Sequence, residues 1–145
     1  MVGGGGRRVK AAVAFAVLTA ACTGRSYGRL MATHVDLLTA LARKGADLVA
    51  SGRLTAESMP ELTYPLERAQ AFAASEEVRR RDDPPPSLVA FQAFVARYRD
   101  FVDTLDRVRR EQSGEAARAA LTPSLRALES AAEEVRAALH REGRT

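Results

Sequence analysis

Few side chains in this sequence have the types and spacing that do chemistry. The chain has one cysteine, Cys22, and two histidines, His34 and His140, with Met31 three residues before the first histidine. A serine nucleophile needs a base, usually a histidine, and a cysteine nucleophile needs a free thiol. There is no Glu-x-x-His pair, zinc protease motif, zinc ribbon or phosphate loop. We therefore predict a non-catalytic protein without a metal site or a cofactor.

Carboxylate pairs do not change this prediction. Glu76-Glu77 and Glu133-Glu134 are neighbours in sequence. On a helix, adjacent side chains diverge and cannot share a proton or a substrate. We interpret both pairs as solvated helix faces beside arginines.

The sequence opens with the features of an export leader. Residues 1–10 contain Arg7, Arg8 and Lys10 but no acid, and residues 11–21 form an uncharged apolar run that ends in small residues. This order is typical of a secretory signal peptide. The run has about half of the ~20 residues needed to cross a bilayer, so we expect it to be cleaved and not kept as a membrane span.

The end of the leader resembles the lipobox of bacterial lipoprotein precursors. Ala20 and Ala21 precede Cys22 as small residues do in that motif, although Thr19 stands where the commonest lipobox has leucine, and Leu18 lies one position further out. The resemblance implies cleavage before the cysteine and acylation of its sulfur. The alternative is a small residue beside a conventional cleavage site, but an exported chain would then carry one reactive thiol.

Lipidation of Cys22 would define both location and partner. We expect an anchor in the cell envelope on the extracytoplasmic side, and Thr23 after the cysteine is typical of outer-membrane lipoproteins that face the periplasm in Gram-negative bacteria. Residues 22–28 would be a polar tether of about 20 Å at ~3.3 Å per extended residue. Residues 29–145 would form the folded domain, with the membrane as one partner and an envelope protein as the expected second.

Net charge argues against nucleic acid as a partner. Three of the four net positive charges lie in the leader, at Arg7, Arg8 and Lys10, so residues 22–145 carry a net charge of +1. Nucleic acid binding requires a basic stripe on one face, whereas positive and negative charges are interspersed along these residues. We exclude this class of partner.

Apolar spacing predicts four helices in the remaining chain. The first runs over 29–50 and ends at Ser51-Gly52, and the second is predicted over 65–81, with Thr63 as its cap. After a proline-rich loop, Ser87 caps a third helix over 88–111, which has the strongest apolar pattern. A fourth begins near Glu115 and bends or restarts at Thr122-Pro123. The inward residues expected on the first helix are Met31, His34, Leu38, Leu41, Gly45 and Leu48, broadened by Leu30, Val35, Leu37 and Val49.

Short connections force neighbouring helices to run antiparallel, so we predict an all-α, up-down bundle of about four helices. In such a bundle the start of the first helix and the end of the fourth meet at one end. Met31, His34 and His140 would lie there, and these are ligand types that haem iron takes. The layout resembles that of cytochrome b562-type proteins, whose haem is held by a methionine early in the first helix and a histidine late in the fourth. Met31 and His140 are the matching positions in this chain. A haem-type ligand carrier is therefore the alternative function.

Overall fold

The computed structural model describes the backbone of residues 6–145 and the side chains of residues 26–145. Over this range the chain forms four α-helices, and α3 contacts the other three, whereas α2 and α4 do not touch. The predicted all-α bundle of four helices is confirmed. No described helix has a stretch long and apolar enough to cross a membrane. The helices are α1 (Gly6–Ala50), α2 (Pro60–Arg79), α3 (Pro86–Glu111) and α4 (Gly114–Arg141), with a 3-10 turn at Ala56–Ser58.

Helix α3 forms the centre of the core, as its sequence pattern predicts. Its aromatic residues Phe91, Phe94, Tyr98 and Phe101 are all fully buried. Burying one such side chain contributes about 1.5–3 kcal/mol. Helix α3 therefore positions the rest of the bundle around it.

The predicted start of the first helix, at Arg29, is wrong. Helix α1 already includes Tyr27, whose side chain is only 2% exposed. The apolar stripe of α1 is also rotated from the predicted one, because small residues, Ala42 and Ala46, occupy its buried face beside Met31, Val35, Leu38 and Val49. Leu30 and Leu37, which were expected to broaden the inward stripe, are exposed.

Helix α2 begins at Pro60 and passes through Pro65, so the predicted start at Pro65 is wrong, as is the cap at Thr63. A proline inside a helix removes one backbone hydrogen bond and distorts the preceding turn. The hydroxyl of the fully buried Tyr98 donates to the carbonyl of Leu62 in that turn, over 3.0 Å. This contact from α3 stabilises a helix that the local sequence disfavours.

Helix α4 likewise continues through Pro123 without a restart, and Thr122 is not a cap. The Thr122 hydroxyl donates instead to the carbonyl of Arg118, 2.9 Å away. Burial of Leu121 and Leu128 on either side of the proline holds both halves of the helix against the core.

Candidate functional site

The densest group of polar side chains lies at one end of the bundle, which we call the Tyr27 end. Here α1 passes Tyr27, α2 ends, α3 begins and α4 ends. All four helix ends contribute to the group, which we call the polar cluster. Its members are Tyr27, Glu76, Arg80, Ser87, Glu142 and Arg144.

The carboxylate of Glu142 caps helix α3. Its Oε1 accepts from the backbone N–H of Ser87 over 2.9 Å, and its Oε2 accepts from the Ser87 hydroxyl over 2.6 Å. The first turn of a helix has unpaired N–H groups and a partial positive charge, both of which favour a carboxylate. Ser87 was predicted to be the cap, and that prediction is wrong: it lies inside the first turn, and Pro85 precedes the helix without a side-chain cap.

A chain of hydroxyl groups continues from this carboxylate to Tyr27. Ser87 has one hydroxyl hydrogen and gives it to Glu142, which as a carboxylate can only accept. The Tyr27 hydroxyl must therefore donate to Ser87 Oγ, 2.9 Å away. Burial raises the pKa of Tyr27, opposed by the Ser87 hydrogen bond and by Arg80. The phenol is thus held in its neutral, donating form.

Two guanidinium groups cover the ring of Tyr27. Arg80 lies 4.0 Å and Arg144 4.8 Å from the ring centroid, within cation–π distance. Glu76, which is 5% exposed, binds Arg80 Nε at 2.9 Å and so fixes it over the ring. The interpretation of Glu76 as part of a solvated face is wrong, because its side chain is buried and pairs with Arg79 and Arg80 at the end of α2.

The segment after α4 completes the cluster. Gly143, with φ of 66°, adopts the left-handed conformation that ends the helix, and the N–H of Arg144 donates to the carbonyl of Leu139 over 2.9 Å. This turn brings the backbone of Arg144 against Gly28, where a Cβ would lie 2.1 Å from the Arg144 carbonyl oxygen. Only glycine at position 28 permits this approach.

The polar cluster is suited to holding helix ends together and not to catalysis. A serine linked to a carboxylate could in principle act as a nucleophile, but Ser87 is fully buried and its hydroxyl is already bound by Tyr27 and Glu142. No substrate can reach it without separating α3 from α4.

The three candidate haem ligands have different environments. Met31 is fully buried in the core, whereas His140 is exposed to solvent. His34 is half-buried and packs against Phe72 and Phe91, at ring separations of 5.2 Å and 6.1 Å. Burial lowers the pKa of His34, and Arg68 adds to this effect. The structure therefore places these residues near one end of the bundle, with Met31 inside the core and His140 on the surface.

In the part of the chain with described side chains, no three His, Cys, Asp or Glu residues are grouped to hold a metal ion. Two clefts lie between α1 and α4, and the larger, about 400 Å³, is bordered by Arg43 and Glu129. These two form an ion pair of 2.8 Å across the seam. Cys22 lies outside the residues whose side chains are described.

The sequence analysis missed most members of the polar cluster. Tyr27 was assigned to the tether, and Glu142 and Arg144 were not considered. One available signal was Gly143, since a glycine after a long apolar stripe predicts a helix end and a reversal of the chain.

Comparisons of this chain with models of protein families, with curated proteins and with solved structures found no significant match.

Proposed function

We propose that this protein is a non-catalytic bacterial lipoprotein, anchored through acylated Cys22 and serving a structural or protein-interaction role in the cell envelope. The observation that carries the proposal is the leader: a basic start, an uncharged apolar run and small residues directly before the only cysteine. Acyl chains on one residue hold a protein firmly, since each buried methylene adds about 0.8 kcal/mol.

The polar cluster supports the non-catalytic part of the proposal. Its serine and tyrosine hydroxyls are occupied by partners within the bundle, and its carboxylates are bound to the N-terminus of α3 and to Arg80. These groups join the four helices at the end of the bundle nearest to Cys22. A well-fixed end is what a domain attached at that point requires.

The anchor is tested by expressing the full chain in a bacterium and measuring the mass of the mature protein. We expect loss of residues 1–21 and a gain in mass equal to the added acyl groups, palmitate among them, with recovery in the membrane fraction. The matched control is Cys22→Ser, which removes the acylated atom and little else. An unmodified thiol at Cys22 in a soluble protein would refute the anchor.

The interaction role is tested separately, from a position far from the anchor. Tyr64 is an aromatic side chain on α2 that is 67% exposed. A photo-crosslinking residue at position 64 should capture a defined envelope protein in cells, whereas the same residue at the exposed position Arg97 on α3 should not. Equal capture at both positions, or none at either, would count against a docking role for this face.

A further inference from the structure

Exposed apolar side chains concentrate at the Tyr27 end. Of the five large hydrophobic residues that are exposed among the described side chains, Leu30, Val78 and Val89 belong to the turns at this end, with exposures of 47%, 77% and 56%. At 1.5 Å per residue each lies within about 5 Å of the end of the packed part of its helix. We call these three exposed side chains the apolar layer.

Arginines border the same layer. Arg29, Arg81 and Arg141 are exposed at this end, and none is within 4 Å of a carboxylate in the described part of the chain. Asp82 and Asp83 are also exposed there, so the end is not strongly cationic. A partner for such a surface should offer both apolar and phosphate groups, as the interface of a phospholipid bilayer does.

The position of Cys22 in the chain selects this partner. Only five positions separate Cys22 from Tyr27 in the sequence, so even a fully extended chain, at ~3.3 Å per residue, keeps the two within about 17 Å of each other. The headgroup region of one leaflet is roughly 5–7 Å thick. A cysteine acylated at the inner boundary of that region therefore keeps the Tyr27 end within about 10 Å of its outer surface.

We infer that the Tyr27 end is seated directly on the lipid surface, with the apolar layer among the headgroups and Arg29, Arg81 and Arg141 beside their phosphates. The bundle stands upright on the membrane, and its Gly52 turn points away from it. This inference rests on the proposed anchor and adds which surface of the domain touches the bilayer.

The test uses the acylated mature protein in phosphatidylcholine vesicles. Acylation consumes the thiol of Cys22, so Val89→Cys supplies a single site for an environment-sensitive fluorophore. The matched control is Tyr64→Cys, at the opposite end of the bundle and equally open to labelling. We expect spin-labelled lipid to quench the fluorophore at position 89 at least twofold more than at position 64, with a blue shift only at position 89. Leu30→Cys should behave like Val89→Cys.

Two failures are distinguishable. If the protein floats with vesicles but the fluorophores at positions 89, 30 and 64 are quenched equally, the anchor is supported and the seating is refuted. If the protein has an unmodified Cys22 and does not float, the proposed function fails and the seating fails with it.

Discussion

At the Tyr27 end, side chains from all four helices meet in one cluster, whereas at the opposite end, which we call the Gly52 end, each reversal is closed by its own backbone. Gly52 and Gly114 have φ of 68° and 61°, and a Cβ at either position would meet nothing within 4 Å. The reversal after α1 is held by the N–H of Arg53 donating to the carbonyl of Leu48 over 2.8 Å. The Tyr27 end thus depends on residues distant in sequence, and the Gly52 end on residues close together. Substitutions at the Tyr27 end should therefore affect several helices at once, whereas substitutions at the Gly52 end should have local effects.

The largest effect should come from Tyr27→Ala. Removing a fully packed aromatic residue costs about 3–5 kcal/mol of unfolding free energy, and here it also removes the ring that Arg80 and Arg144 cover and the hydrogen bond to Ser87. Urea denaturation of residues 22–145 carrying Cys22→Ser measures this loss. The control is Tyr64→Ala, which removes an exposed tyrosine and should change stability by less than about 0.5 kcal/mol. A similar result for both would show that Tyr27 belongs to a loose tether.

The second effect is that of Glu142→Gln. This change keeps the shape of the side chain but removes the charge that faces the N-terminus of α3, and we expect a loss of about 2 kcal/mol. Glu134→Gln, on the exposed face of α4, should be close to neutral. Thermal unfolding of the two variants side by side would decide the matter, and equal stabilities would argue that Glu142 contributes nothing as a cap.

At the Gly52 end, Gly52→Ala should cost about 1 kcal/mol, because alanine is strained at positive φ but clashes with nothing. Its effect should add to that of Glu142→Gln within about 0.5 kcal/mol, since the two ends share no contacts. A double-mutant cycle measures the coupling. Strong coupling would mean that the two ends are not independent.

The smallest effect concerns pH and His34. Because burial and Arg68 lower its pKa below 6.5, the unfolded chain takes up a proton before the folded chain does as the pH falls through 6.5. Stability is therefore complete above pH 6.5 and declines below it. His34→Gln should flatten this decline, measured by urea denaturation from pH 7.5 to 5, and an unchanged decline would show that His34 does not cause it.

The comparison also explains what could be predicted from the sequence. The apolar pattern of α3 and the stop at Gly52 are local signals, and both predict what the structure shows. The local signal of Pro65 predicts a helix start that the structure does not have, because a contact that holds this turn comes from Tyr98, more than 30 residues away. The polar cluster was missed for the same reason: the cap of α3 is Glu142, which no pattern near Ser87 indicates.

The approach of Arg144 to Gly28 bears on the order in which the protein folds. It joins the first packed turn of α1 to a residue that follows α4, at the other end of the folded chain. Closing so long a loop is slow compared with forming a helix or pairing neighbours. A chain that emerges N-terminus first therefore cannot complete the Tyr27 end until α4 arrives, and its unfinished core remains open to aggregation or to chaperones until then.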